Sequence, residues 1–148
     1  MPIPPFTADG LLPEGVHACS LSEVRERFGL FQGTDRRPAL LGRLLEFLKE
    51  AGESAVVDAV YVDGSFVTAS ALPNDIDLIV LVRADLDLTA DLLPAGYNVI
   101  SRSRVRKRFG FDIVAVRAGT LEVDEAVSFF QQVRGQPQNR KGILRLTL

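Results

Sequence analysis

The hydrophobic positions change period several times along this chain, and each change marks an element. Leu21, Val24 and Phe28 recur at helical spacing behind Ser20-Leu21-Ser22-Glu23, which fits a capping box, and Gly29 can stop that helix. Asp35 is an N-cap candidate with Pro38 in the first turn. Leu40, Leu41, Leu44, Leu45 and Leu48 then hold helical spacing as far as Gly52. From Val56 to Asp63 the pattern becomes an apolar run rich in Val and bounded by Gly64 and Ser65, which reads as a strand. A second run ends at Val82. Its Ile76, Leu78, Val80 and Val82 face one way and its Asp75, Asp77, Ile79 and Leu81 the other, which predicts a central strand covered on both sides. Phe109 to Val116 reads as a third strand, ending near Arg117, with Asp112 inside it. After Ala118-Gly119-Thr120, the stripe Val123, Ala126, Val127, Phe130 and Val133 predicts a helix ended by Gly135. Gln136 to Arg140 reads as a polar loop. Lys141 to Leu148 alternates as a terminal strand that completes a sheet edge or pairs with a second copy or a partner protein.

In this order the elements predict an α/β (α+β) fold, a mixed β-sheet with helices packed on it, as a single domain over residues 1–148. An extended arm, residues 1–19, precedes a core of about residues 20–134. Pro2, Pro4, Pro5 and Pro13 lack an amide donor and keep the arm irregular, while Ile3, Phe6, Leu11 and Leu12 give it apolar side chains to pack with.

Composition adds limits. A length of 148 residues suits one core. The net charge of −2 creates no overall basic field for nucleic acid. No apolar run is long enough to span a membrane, and no basic segment followed by an apolar one opens the chain, so neither a membrane segment nor a signal peptide is expected. With Cys19 as the single cysteine, no internal disulfide can form, and a cytoplasmic location is expected. His17 and Cys19, with no other His or Cys, do not make a zinc site within one chain.

The candidate chemistry lies between Val60 and Val82. Gly64 lacks a Cβ, so a phosphate can approach its backbone. Ser65 can open a short helix whose amides favour an anion, or simply cap a strand-to-helix turn. After a spacer of nine residues come Asp75 and Asp77, about 7 Å apart along one face if the strand is regular there. Two such carboxylates repel unless a cation sits between them, and the hard cation for oxygen ligands is Mg²⁺. Asp112 is costly to bury unpaired and can converge on the same site if its strand lies beside that of Asp77. Asp63 either joins the site or caps the turn. Asp85, Asp87 and Asp91 read as a solvated rim. Arg102, Arg104, Arg106, Lys107 and Arg108 form a positive run, helix or strand, that either balances the acidic rim or meets triphosphate or RNA charge.

Gly64-Ser65, the spacer, Asp75-Ile76-Asp77 in an apolar strand and Asp112 in a later one together resemble the nucleotidyltransferase superfamily of the DNA polymerase beta type. The opening Pro-Ile-Pro-Pro-Phe-Thr-Ala-Asp-Gly-Leu-Leu-Pro also resembles a group of small uncharacterised bacterial proteins with that core. The resemblance covers roughly residues 57–116 and implies a minimal single-domain enzyme. It would move a nucleoside monophosphate from a nucleoside triphosphate to a hydroxyl of a protein or RNA acceptor, releasing pyrophosphate. It implies two Mg²⁺ ions, with Mn²⁺ as a substitute, held by the catalytic residues Asp75, Asp77 and Asp112, and phosphates held by Gly64 and Ser65. The spacer Phe66 to Asn74 lacks the arginines common in the small antitoxin-type members, and an extra helical domain to hold base or acceptor is not expected. A homodimer or a cognate partner protein is one way to complete the pocket. A toxin–antitoxin or phage-defence component and a non-catalytic nucleotide-binding module are the alternative readings.

Overall fold

The computed structural model describes residues 3–87 and 92–148. The rim residue Asp91 and the first two residues of the arm lie outside these.

The strands are β1 (Gly15–Ala18), β2 (Val57–Asp63), β3 (Asp77–Val82), β4 (Asp112–Arg117), β5 (Gln132–Val133), β6 (Gln136–Arg140) and β7 (Gly142–Thr147). The helices are α1 (Leu21–Phe28), α2 (Arg36–Ser54), α3 (Pro94–Ile100), α4 (Arg102–Phe109) and α5 (Leu121–Phe130). The fold is α+β. A mixed five-stranded sheet runs in the order β1-β7-β2-β3-β4, with parallel pairing at β1–β7 and β3–β4 and antiparallel pairing between. One face packs Val60, Val62, Leu78, Val80, Ile113 and Leu144 against the buried sides of α1 to α4. The other packs Tyr61, Ile79, Leu81 and Val116 against Val123, Ala126, Val127 and Phe130 of α5. Strand β3 is therefore central and covered on both faces, as its two apolar sides require. No helix among the described residues is long and apolar enough to cross a membrane.

Helix α1 carries the expected capping box. Ser20 Oγ accepts from Glu23 N at 3.2 Å, and Glu23 Oε1 accepts from Ser20 N at 3.1 Å. Helix α2 starts after Asp35, whose side chain makes no cap bond, and runs past Gly52 to Ser54, where Ala55 ends it in the left-handed region at φ 58°. Its buried stripe includes Arg37, Phe47 and Ala51, while Leu45, expected in the core, is exposed.

Several expected elements are corrected by the fold. The run from Phe109 is not all strand: Phe109 ends α4, Gly110 is its left-handed cap, and β4 begins at Asp112. Asp112 is consequently a solvent-exposed first residue of a strand. The helix expected to reach Gly135 stops at Phe130, and Gln132 to Arg140 forms an antiparallel hairpin in place of the rest of that helix and the polar loop. The arm ends in a strand, β1, that the prolines obscured. Helix α3, with Pro94 at its start, fills part of the connection after β3. The terminal strand β7 is not at a sheet edge. It lies between β1 and β2, so its edges are both used within the chain.

The arm reaches that place by crossing closely over Gly142, whose amide donates to Leu12 O at 2.9 Å. A Cβ on Gly142 would stand 2.1 Å from Pro13 O. Gly142→Ala is thus expected to lift the arm and β1, costing about 1–3 kcal/mol. Amide hydrogen exchange would read it as lost protection at His17 and Cys19, whose amides face β7. Unchanged protection there would mean the arm is held in another way.

Candidate functional site

Pairing places three carboxylates in a row. Asp63 is opposite Asp77 in the β2–β3 ladder, and Asp77 is opposite Asp112 in the β3–β4 ladder. Paired residues project to the same face, and neighbouring strands lie about 4.8 Å apart. The row opens into a cleft of about 700 Å³ on the α5 face, also lined by Arg102, Arg106 and Lys141.

The row begins where β2 ends in the Gly64–Ser65 turn. Gly64 has φ 94° and ψ 178°, a conformation that L side chains rarely adopt, and a Cβ there would sit 2.8 Å from Asp75 O. Ser65 opens a single 3-10 turn, Ser65–Val67. Its amide and hydroxyl both donate to Asp75 Oδ1, at 2.8 and 2.5 Å, and its oxygen accepts from Asn74 N and Asp75 N. Gly64→Ala is expected to cost about 2 kcal/mol or more through backbone strain and clash, read as a lower denaturant midpoint. A variant as stable as the parent would remove Gly64 from this account.

Asp75 is not in the row. Strand β3 starts only at Asp77, so alternation does not extend back to Asp75, and its carboxylate is turned onto Ser65. It still lies close enough to act on Asp77. Asp112 forms an ion pair with Arg106 of α4, both exposed. Asp63, 7% exposed, faces Lys141 Nζ at 3.0 Å. That contact is an ion pair off hydrogen-bond alignment, so buried Asp63 Oδ1 is charge-compensated without a hydrogen bond. Burial raises Asp63 above the usual carboxylate range, and Lys141 opposes the rise.

Asp77 differs from the other three. Among the described residues its carboxylate has neither hydrogen bond nor ion pair. Its pKa is pushed up to about 6, first by burial and then by Asp75, Asp63 and Asp112. A half-buried carboxylate surrounded by like charge is relieved either by a proton or by a cation. No three His, Cys, Asp or Glu side chains among the described residues converge closely enough to hold one ion in this arrangement. The donor chemistry at Asp77, oxygen-only, anionic and unpartnered, nevertheless fits a hard divalent ion.

The other sequence candidates fall into place around this row. The basic run is helix α4, capped by Ser101, and sends Arg102 and Arg106 to the cleft. Arg108 instead pairs with Glu50 of α2 at 2.5 Å, and Arg104 lies over Tyr97, so only part of the run faces the site. Cys19 is half-buried, its thiol pushed up to about 11, mainly by burial, which leaves it unreactive at neutral pH.

Sequence reasoning did not single out Lys141 or Arg37. Lys141 is the residue between β6 and β7, anchored by its amide to Gln131 O. Only the hairpin brings it to Asp63. Arg37, 3% exposed, donates to Phe28 O, Phe66 O, Thr68 O and Ser70 O, tying α1 and α2 to the loop that follows Ser65. An arginine on the apolar side of an otherwise leucine-rich helix was the available signal.

The model of a family of unknown function, DUF6932, matches residues 4–147. The chain belongs to the DUF6932 family. No curated protein and no solved structure matches it. The matched span includes the proline-rich arm and β7, so in this DUF6932 chain the arm is part of the family's domain together with the sheet and the carboxylate row.

Proposed function

We propose that this DUF6932 protein is a cytoplasmic, metal-dependent nucleotidyltransferase that moves a nucleoside monophosphate from a nucleoside triphosphate to a hydroxyl of a protein or RNA acceptor, with release of pyrophosphate. The observation that carries the reading is unpartnered Asp77, held at about 6 in a row of carboxylates beside a Gly-Ser turn and a cationic cleft. Its resemblance to the polymerase beta-type core supplies the reaction class.

Bound Mg²⁺ would neutralise triphosphate charge and lower the pKa of the attacking hydroxyl. Asp77 would be its central ligand, with Asp75 and Asp112 beside it. Gly64 lets the backbone of Asp75 and Asp77 pass close against the turn, and Asp75 fixes the orientation of Ser65. Arg102 and Arg106 would meet phosphate oxygens. Because Arg106 also pairs with Asp112, phosphate binding and release of Asp112 are coupled through one guanidinium.

A second reading, a nucleotide-binding module without turnover, is favoured by one feature. Three of the four carboxylates already have partners in the protein, including Lys141 among them. The two readings separate when purified protein is incubated with each nucleoside triphosphate labelled at the α-phosphate, with Mg²⁺ or Mn²⁺ and cell extract as the source of acceptors. The control is the Asp75→Asn, Asp77→Asn double variant. Label on a protein or RNA with the parent chain alone supports transfer. Metal-dependent nucleotide binding with no label supports the module, and neither outcome rejects both.

A further inference from the structure

The cleft that holds the carboxylate row has a second, chemically different lining. It is made by the end of α5 and the β5–β6 hairpin: Phe129, Phe130, Val133 and Pro137, edged by Gln132 and Arg134. Phe130 is partly buried and packs on the sheet core, but Phe129 is 67% exposed and turned from that core. The two rings stand 6.3 Å apart at 55°, so Phe130 backs Phe129 without covering it. Single exposed apolar side chains are ordinary, and Leu121 on the same helix is also exposed, so it is the place of Phe129 in the cleft that marks it. Here it opens into a cleft that is also lined by Arg102 and Arg106 of α4 and by Lys141, which follows the hairpin. A ligand matching both linings carries clustered negative charge at one part and a flat, weakly polar ring at another.

We infer that Phe129, backed by Phe130 and bordered by the β5–β6 hairpin, is the stacking platform for the base of the bound nucleotide. The inference rests on the nucleotidyltransferase reading for the triphosphate end of the cleft. It adds a specificity-determining surface that the Gly-Ser and aspartate pattern does not contain. Stacking on one aromatic face tolerates any base, and Gln132 and Arg134 are the side chains placed to read a base edge. A phosphate chain held at the cations and a base held at Phe129 would need both linings at once. The hairpin would then act in two ways, carrying part of the base site and delivering Lys141 to Asp63.

Calorimetric titration of the full chain in Mg²⁺, with each of the four common nucleoside triphosphates and with inorganic tripolyphosphate, separates the two ends. The expected result is that at least one nucleoside triphosphate binds about tenfold or more tighter than tripolyphosphate. Phe129→Ala should abolish that preference while leaving tripolyphosphate affinity unchanged, and Phe129→Tyr should retain it. Binding of tripolyphosphate with no added affinity for any nucleoside triphosphate would sink the platform and leave the phosphate reading standing. So would a preference that survives Phe129→Ala. Binding of neither ligand would reject the nucleotidyltransferase reading, and the platform with it. A change of oligomeric state in Phe129→Ala, seen by analytical ultracentrifugation without a change in nucleotide preference, would assign the ring to a protein interface instead.

Discussion

Asp77→Asn is expected to abolish nucleotidyl transfer and, at neutral pH, to make the folded protein more stable than the parent. The first effect follows from position. Asp77 is the middle carboxylate of the row and is unpartnered among the described residues, and an amide carries no charge for a cation. The second follows from linkage. The carboxyl titrates at about 6 in the folded chain against 3.8 as the ordinary value. Between these values the folded state keeps a proton that the unfolded state has released. Stability therefore falls as pH rises through that window, and above it the whole penalty is present. Asparagine removes the penalty. With half of the group open to solvent screening, the gain is about 1–2 kcal/mol at pH 7, a shift of a few degrees in Tm.

Thermal unfolding from pH 4 to pH 8 would show the parent losing stability over the window and the variant holding a shallower course. Mg²⁺ should raise the Tm of the parent by mass action and leave that of the variant nearly unchanged. A variant that transfers at the parent's rate, or one that is less stable at pH 7, would make Asp77 a structural residue.

Arg37→Ala is the change expected to cost most in stability. The guanidinium is buried without a carboxylate partner among the described residues and donates to four carbonyls, at 3.2, 2.7, 2.8 and 2.7 Å. Burial also lowers its pKa, as desolvation of a cation must. The hydrogen bonds offset that cost only while all are made. Truncation leaves the carbonyls of Phe28, Phe66, Thr68 and Ser70 short of donors at once, a loss of about 3–5 kcal/mol from a total stability of about 5–15 kcal/mol. Arg37→Lys should recover less than half, because an ammonium cannot span acceptors on two separate segments as a planar fork does. Urea unfolding measures both. A cost under about 1 kcal/mol for Arg37→Ala would mean that water replaces the guanidinium. Because three of the four carbonyls follow Ser65 in the chain, the variant should also loosen the Gly64–Ser65 turn and weaken tripolyphosphate binding.

Local pattern was enough wherever an element's neighbours in space are also its neighbours in sequence. Ser20 with Glu23 specifies the start of α1, and the leucines of α2 specify its buried side. The alternation of apolar residues in β3 specifies a strand covered twice. Gly64 is legible for the same reason, since its conformation is a property of one residue, and the short segment linking it to Asp77 fixes which carboxylates come near.

What the sequence left open depended on partners far along the chain. Whether Gln132 to Arg140 forms a helix end and loop or a hairpin is decided by ribbon pairing and by the anchoring of Lys141 to Gln131, both invisible to a helical stripe. Strand β7 looks like an edge until β1, disguised by prolines, pairs with it over Gly142. Asp75 and Asp77 look equivalent by spacing, but Ser65 takes the first and leaves the second bare. Lys141 reaches Asp63 across 78 positions of chain. The sequence by itself determined α1, α2, β2, β3, β7 and the start of α5, the sheet's apolar faces and the carboxylates that lie on or beside them. Only the tertiary structure decided which carboxylate stands without a partner, because charge compensation is set by distance in space, and the residues that supply it lie on α4, in the turn after β2 and between β6 and β7.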